Sequence, residues 1–597
     1  MATVVAGSTY ASSGTSLVVS GLVNGTPYSY TGTLENGVVR MPDTAFLDDT
    51  IQRLSSGLPT WRACELDSRI ALLRSLRHRL GHEAEAIVSA ANTAQGYAQD
   101  QPWLGHQWWA LYPALGQVMA LEHVLKRVAG GKDPVPRKAV HTRDDGRVVV
   151  DVFPPGVADA ALFAPWQYRA QVWLRPGTSS EEAMAAAARE YRGAGFPDAG
   201  IAVVLAAGNT PSGPFLDTVH TLYQLGSVAV VRLNPVNEYL LPHFERIFAD
   251  FVEHDWVRFV TGGADNGEYL VHHPGVDRLH MTGSAAVHDA IVWGRGAQAE
   301  QARAAGTPRV DKPFTSELGG VNPWIVVPGP WKHADVMHHA DRIVGAKLFN
   351  CGHICASPQV VIVPAGWARG DDLVDEIRRL LAESPPSTPY YPGTDAKIAQ
   401  IMADQPHAEV LQGANRRVLI PDADPSVSCN LFTHEVFADA LGIVRLPASN
   451  VEEYLACATA FANDMLPGDL CATLSIAPRT RREHPAALDK ALVDLRYGAI
   501  GVNEWGGLNS GLGSTTWGGY PGNTPESIGS GTGVIGNAFM LKDVEKSVLT
   551  AAFRSIVKPV GVASHRTLAN LMRGLFLARA EDDPRTVPSA LLATVRG

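Results

Sequence analysis

The side chains best equipped for covalent chemistry in this 597-residue chain are its six cysteines, since an ionised thiol is a strong nucleophile near neutral pH. Two of them lie close together, in Asn350-Cys351-Gly352-His353-Ile354-Cys355. Three residues separate them, one too many for a CxxC redox pair, and no cysteine spacing matches a zinc module. Standing alone, a free cysteine reads as a buried, inert side chain. Glu317, in Glu317-Leu318-Gly319-Gly320, is either an ordinary loop glutamate or a carboxylate able to activate water, with glycines that permit close backbone approach to a ligand. Thr282-Gly283-Ser284 opens a predicted helix, whose N–H groups and dipole suit a pyrophosphate. An ordinary helix cap is the other reading. Gly262, Gly263 and Gly267 form a glycine-rich turn, more often a loop than a cradle.

The elements that must position these residues are legible as alternating patterns. Apolar strands are predicted at 201–206, 228–233, 256–261 and 277–282, with helices between most of them. That alternation implies a parallel sheet covered on both faces, with ligands at the carboxyl ends of its strands. A second α/β region is expected from about 317 to 502, and further strands at 147–153 and 170–174. From Asp43 to about Leu125 the pattern is helical, with Leu66, Ile70, Leu73 and Leu76 at helical spacing. Residues 1–43, rich in Gly, Thr, Ser and Val, read as short strands with turns at Asn24-Gly25 and Asn36-Gly37. They could form a β appendage, a partner-binding arm, or an extension lying on the main body. At the other end, Leu568, Leu571 and Leu575 with Arg566, Arg573 and Arg579 suggest a basic amphipathic helix, suited to a membrane surface or to docking on its own protein.

Composition narrows the function classes. With 46% hydrophobic and 18% charged residues the chain is not wholly disordered. A net charge of −10 argues against a nucleic-acid partner. No apolar run reaches the ~18–20 residues of an integral membrane segment. The opening MATVVAGSTY lacks the basic and apolar regions of a signal peptide, so a reducing, cytoplasmic location is expected.

Several segments, in order, resemble the aldehyde dehydrogenase superfamily over roughly residues 44–550. They are Gly208-Asn209-Thr210-Pro211, Met281-Thr282-Gly283-Ser284, Glu317-Leu318-Gly319-Gly320 with Asn322-Pro323, Asn350 to Cys355, Glu435-Val436-Phe437, Val502-Asn503 and Trp517-Gly518-Gly519. The resemblance implies an α/β fold with a Rossmann-type nucleotide-binding domain (44–146 and 176–314) and an α/β catalytic domain (315–537). It also implies a small β bridging and oligomerisation element (147–175 and 538–560), used in relatives to form dimers or tetramers. The chain would then be a divergent member with N-terminal (1–43) and C-terminal (561–597) extensions.

By the same resemblance Cys355 falls at the reactive thiol of an N-x-G-x-x-C pattern, and Glu317 is the general base. Asn209 supplies one donor to the oxyanion, though an asparagine before Thr-Pro also forms turns. Cofactor-binding positions are Arg232, Thr282, Gly283, Ser284, Gly319, Glu435 and Phe437, for NAD or NADP; no metal is required. The acid that often follows the Arg232 position is replaced by Pro235, which implies tolerance of NADP; Arg232 as a cap on the sheet edge is the alternative. Other departures are Cys351 for a usual Gln, His288 for a glycine that shapes the phosphate site, and Ala438-Asp439 for Gly-Pro. Trp103, Trp108, Trp109 and Tyr112 lie in the region that forms the substrate tunnel in relatives. They read as selection of a bulky or aromatic aldehyde, or as core or subunit packing.

The implied activity is NAD(P)-dependent oxidation of a small-molecule aldehyde to a carboxylic acid, through a cysteine thiohemiacetal and thioester. Two alternatives stand beside it: a coenzyme A-acylating dehydrogenase or acyl-CoA reductase, and a non-catalytic binding member of the fold.

Overall fold

The computed structural model describes residues 9–13, 16–23, 26–35, 38–39, 43–97, 104–412, 417–427, 429–447, 449–555 and 557–581. The turns expected at Asn24-Gly25 and Asn36-Gly37, and Trp103, lie outside the described residues.

The expected parallel sheet is present. Strands Ile201–Leu205, Val228–Arg232, Val257–Val260, Arg278–Gly283 and Phe314–Leu318 run parallel in one six-stranded sheet. All five residues of Ile201–Leu205 are buried, as a strand covered on both faces requires. The helix Gly213–Tyr223 connects the first two strands. Phe259 of the strand Val257–Val260 joins Trp61, Phe244, Phe248, Phe251 and Trp256 in a cluster of edge-on and tilted rings.

The boundary expected at 314/315 falls inside the strand Phe314–Leu318, which pairs with Arg278–Gly283. The chain leaves this sheet only at Gly319-Gly320 and enters the second sheet at Asn322–Val326. The sixth strand, Gly531–Thr532, runs antiparallel to Ser316-Glu317 and closes that edge.

The second sheet has eleven strands. Its centre is parallel, with Asn322–Val326, Pro358–Pro364, Ala440–Leu446, Cys471–Ser475 and Ala499–Val502, all buried but for the last two residues of Ala440–Leu446. At one side Val544–Thr550 pairs with Ala499–Val502 and then, antiparallel, with Arg169–Leu174. Val148–Phe153 and Val140–Thr142 follow. The strands assigned to a separate bridge are therefore continuous with the large sheet.

Thr9–Ser13, Ser16–Val23, Thr26–Glu35 and Val38–Val39 form an antiparallel meander, whose third strand approaches the helix Ala264–His272. The C-terminal helix Leu568–Ala580 docks on the helix Leu104–Ala129 of its own chain. Among the described residues no helix is long and apolar enough to cross a membrane.

One buried ion pair pins the large sheet to its helical cover. Arg342, on helix His333–Leu348, meets Glu504 at 2.6 Å, and both side chains are at most 4% exposed. The same carboxylate accepts the Tyr168 hydroxyl at 2.5 Å and the Trp505 N–H at 3.0 Å. Removing one partner strands a charge in a low-dielectric interior. Arg342→Ala is therefore expected to cost about 3–5 kcal/mol, read as a lowered urea midpoint. The paired change Arg342→Met with Glu504→Gln should recover most of that loss.

Candidate functional site

The site is built around a short stretch of backbone in an uncommon conformation. Helix His333–Leu348 ends at Phe349, and the next three residues, Asn350, Cys351 and Gly352, all have positive φ, at 53°, 58° and 70°. Asparagine tolerates this region and glycine enters it freely, whereas cysteine resists it. Gly352 is also required by proximity, because a Cβ there would lie 2.5 Å from the Ala438 carbonyl carbon.

Side-chain hydrogen bonds hold the turn. The Asn350 amide nitrogen lies 2.6 Å from the Asn209 carbonyl, 2.9 Å from that of His353 and 3.0 Å from the Tyr390 hydroxyl. Its oxygen accepts from the Gln95 amide at 3.0 Å, and Gln95 in turn accepts from Gln107 at 2.7 Å. Tyr390 donates to the Asn209 carbonyl at 2.8 Å.

Cys351 points away from the cavity. Its thiol lies 2.6 Å from the Tyr97 hydroxyl, and burial pushes it up to about 12. Cys355, four residues on, is half-buried and lines a cavity of about 540 Å³. Its carbonyl is held by Asn322, which donates to it at 2.7 Å and to the Ser357 carbonyl at 3.1 Å.

Three further groups meet the thiol or face the same cavity. Glu317 lies beside the Cys355 thiol and accepts the Trp517 indole N–H at 3.1 Å. Burial raises its carboxyl to about 7, offset in part by the neighbouring thiol and by the indole hydrogen bond. The Asn209 amide donates to the His353 carbonyl at 3.1 Å, with its backbone carbonyl fixed as described. Glu435 is half-buried, and the burial of its carboxyl pushes it up to about 8, with no hydrogen-bond partner for one carboxyl oxygen among the described residues. Gly319 lies directly against it: a Cβ there would come within 1.9 Å of that oxygen.

Burial likewise raises the Cys355 thiol well above its usual value, and the adjacent Glu317 and Glu435 carboxyls raise it further. A thiolate and two carboxylates cannot all be charged here without mutual repulsion.

Phe437 lines the cavity with φ at 54°, its carbonyl 2.7 Å from the His353 ring and its own ring 5.0 Å from that of Tyr391. Thr282, Gly283 and Ser284 line the cavity at the start of the helix Ala285–Trp293, where Ser284 accepts the Val287 N–H at 3.3 Å. Thr282 donates to Asp217 at 2.9 Å, and Asp217 lies 3.2 Å from His280. His288 does not obstruct this helix start. Its ring turns inward, 2.8 Å from both Ser316 Oγ and the Pro525 carbonyl, and stacks on Phe314.

Arg232 lines the cavity, but its guanidinium is engaged twice by the Gly262 carbonyl, at 3.1 and 2.6 Å. Glu238 takes the N–H of the same glycine at 2.8 Å. The sheet-edge cap and the cavity-facing role thus coexist at this residue. Among the described residues no group of three or more His, Cys, Asp or Glu could hold a metal.

Near Cys355 the wall is apolar. Trp109, Phe349 and Trp505 pack ring to ring at 4.4, 5.7 and 5.7 Å. Lining residues from 109–117 and 505–515 carry no charge. Trp108 instead faces the C-terminal helix, 5.6 Å from Phe576. On its other side Glu317, with Trp517, also lines a second cavity of about 330 Å³ that contains His220 and His280.

The cavity gathers every proposed site residue, and adds Trp517, Asp217 and Trp505. Trp517 belongs to a motif visible in the sequence, but its contact with Glu317 spans 200 positions. Asn350 was visible only as the start of the cysteine pattern. Nothing local marks its amide as the anchor.

Comparison with known proteins agrees with this architecture. Residues 197–396 match the model of the aldehyde dehydrogenase family. Solved structures cover most of the chain. The NADP-dependent glyceraldehyde-3-phosphate dehydrogenase of Bacillus halodurans superposes with a TM-score of 0.56 at 18% identity, over 87% of this chain and 94% of its own. An aldehyde dehydrogenase of Mycobacterium tuberculosis gives 0.55 at 17%, over 85% and 91%. Residues 197–396 thus match the aldehyde dehydrogenase family, and most of the chain shares the fold of these solved structures.

Among curated members of the superfamily, N-succinylglutamate 5-semialdehyde dehydrogenase of Sphingopyxis alaskensis is 33% identical over 142 residues, 23% of this chain and 26% of that protein. Coniferyl aldehyde dehydrogenase of a Pseudomonas species is 25% identical over 269 residues, 42% and 52%. The D-glyceraldehyde dehydrogenase (NADP(+)) of Thermoplasma acidophilum is 24% identical over 333 residues, 51% and 60%. The chain thus matches between about a quarter and three fifths of the length of these curated relatives.

The thiol and its neighbouring carboxylate give a direct check. Glu317→Gln removes a negative charge that opposes thiolate formation, so Cys355 should ionise at lower pH. The rate of Cys355 alkylation by iodoacetamide, followed by mass spectrometry across pH, is expected to rise at lower pH in the variant than in the parent.

Proposed function

We propose that this protein oxidises an uncharged, bulky or aromatic aldehyde to its carboxylic acid, with Cys355 as nucleophile and Glu317 as the base that activates water. The observation that carries the reading is the Cys355–Glu317 contact within one cavity, with a carboxyl that titrates near neutral pH.

The chemistry follows from the groups in place. Ionised Cys355 attacks the aldehyde carbonyl and forms a thiohemiacetal, and the Asn209 amide stabilises the oxyanion with the backbone N–H of Cys355. The thiolate requires loss of a proton, and ionised Glu317 is the adjacent acceptor. Glu317 gives that proton up to solvent, and after oxidation the ionised carboxylate takes the proton of the water that hydrolyses the thioester on Cys355. A thiol acceptor such as coenzyme A has less need of such a base, so Glu317 favours water as the acyl acceptor.

The residues present fit a nicotinamide dinucleotide. The unpartnered Glu435 oxygen is an acceptor for a ribose hydroxyl, and Gly319, lacking a side chain, leaves the room that this carboxylate occupies. The capped helix start at Ser284 presents N–H groups to a pyrophosphate. Arg232, Thr282, Gly283 and Phe437 complete that half of the cavity. When bound, the cofactor supplies the hydride acceptor. Arg232, without an acid at position 235, suits NADP as well as NAD.

The aldehyde preference rests on the uncharged wall formed by Trp109, Phe349 and Trp505. Among the relatives above, the coniferyl aldehyde dehydrogenase acts by name on an aromatic aldehyde. A soluble homodimer or homotetramer in the cytoplasm completes the proposed picture.

The test is NAD(P)H formation with aliphatic and aromatic aldehydes, with and without coenzyme A. Turnover independent of coenzyme A is expected, and Cys355→Ala should abolish it. No turnover in the parent protein, or turnover only with coenzyme A, would overturn the reading. Asn209→Ala is expected to lower kcat by about 10²–10³ in the same assay. The pH profile carries a further expectation. Glu317 must be ionised to act, so hydrolysis should rise with pH through about 7. Trp517→Phe removes a hydrogen bond to the carboxylate, and should move that rise to higher pH.

A further inference from the structure

Beyond Thr550 the chain does not end at the sheet edge. Residues 557–581 form a strap that returns across two elements carrying the cavity wall. It first crosses the helix His333–Leu348, which leads into the cysteine loop. There the strap backbone lies on Gly345, where a Cβ would meet the Gly561 carbonyl at 2.3 Å and the Ala563 nitrogen at 2.6 Å. Asp341 on the same helix fixes the crossing: its carboxylate accepts the Ser564 N–H at 2.9 Å and the Ser564 hydroxyl at 2.5 Å, and its carbonyl accepts the Ala563 N–H at 3.2 Å.

The strap then runs along the helix that bears Trp109. Its own helix packs Leu568 against Gly105 and Phe576 against Trp108 and Tyr112. Arg579 ties it down through Asp159 at 2.6 Å, and its carbonyl accepts from Arg77 at 3.1 Å.

Between these two anchorages Gly561 abuts the edge of the Trp109 indole. A Cβ on Gly561 would lie 2.9 Å from the ring's outermost carbon, Cη2. Among the other neighbours of that ring are Phe349 and Trp505, which line the cavity beside Cys355. None of residues 557–581 lines the cavity itself. The strap therefore acts on the cavity through one rigid side chain.

We propose that the C-terminal strap sets the size of the aldehyde half of the cavity by fixing the Trp109 indole, with Gly561 as the contact that determines its position. This rests on the reading of that half as the aldehyde site. Gly561 and Trp109 are thus specificity-determining positions, and Gly561 acts without touching substrate. A methyl group added at 561 must displace the indole, because an aromatic ring cannot bend away from it. The displaced ring narrows the space available to large substrates before it affects small ones.

The experiment uses the full chain with Gly561→Ala, Trp109→Ala and the double variant, each checked for folding by circular dichroism and thermal unfolding. Two readouts are taken: kcat/KM for cinnamaldehyde and propanal, and calorimetric affinity for cinnamamide, an unreactive aromatic amide. Gly561→Ala is expected to lower cinnamaldehyde kcat/KM at least tenfold, mainly through KM, with propanal within threefold. Cinnamamide affinity should fall in parallel, and Trp109→Ala should restore it in the double variant. Equal losses for both aldehydes, unchanged cinnamamide affinity, or no rescue by Trp109→Ala would overturn the proposal. Should Gly561→Ala fail to fold, Trp109→Ala alone decides: it must raise the cinnamaldehyde-to-propanal ratio at least threefold, and an unchanged ratio overturns the proposal. Absence of all turnover in the parent protein would defeat the dehydrogenase reading, while cinnamamide binding would still judge the strap.

Discussion

One carboxamide holds the site together. The Asn350 side chain reaches the carbonyls of Asn209 and His353, the Tyr390 hydroxyl and the Gln95 amide. It thereby joins the segment that follows strand Ile201–Leu205 of the six-stranded sheet, the cysteine loop and the long helices near the N-terminus. Three successive residues with positive φ would not persist in isolation, since such conformations are costly outside glycine. They persist because this amide is satisfied only when the loop adopts that path. Asn209 and the loop that leads to Cys355 owe their positions to the same set of bonds, so that carboxamide and the thiol are not independent of each other.

Around that fixed loop the chemistry is governed by competition for charge. The carboxyls of Glu317 and Glu435 are both pushed up by desolvation, and Cys355 is raised by burial and by those same carboxyls. The arrangement disfavours any second negative charge once one is present. Proton transfer between thiol and carboxylate leaves the total unchanged, which is the exchange such a site accommodates most readily. Trp517 biases it, because its indole N–H favours the ionised form of Glu317. The buried Arg342–Glu504 pair contributes from a distance by holding the segment that presents Trp505 to the cavity.

Much of this was legible in the residues alone, for physical reasons. Strands buried on both faces announce themselves as unbroken apolar runs, and 201–206, 228–233 and 277–282 were found within a residue or so of their ends. Cys355, Glu317 and Asn209 stood in short motifs, and all three face one cavity. What stayed hidden depended on direction or on distance along the chain. His288 stood out as a departure from a glycine at the phosphate site, and only the fold shows its ring turning inward onto Ser316 and Phe314. No local pattern distinguishes the two faces of a nine-residue helix that is buried on one side. Arg232 read as either a ligand or a cap because one guanidinium can satisfy a carbonyl and still border a cavity. The closing strand Gly531–Thr532 is two residues long, too short to carry any periodicity.

That short strand has a consequence during synthesis. It seals the outer edge of the strand bearing Glu317, and the indole that grips the carboxylate lies 200 residues downstream of it. Chains emerge from the ribosome at about 5–20 residues per second, so roughly 10–40 s pass before that part of the chain exists. Through that interval the nascent protein carries an open strand edge, the feature that invites pairing with other chains. Messages truncated in this stretch would yield the six-stranded sheet unsealed, with its buried carboxylate facing water.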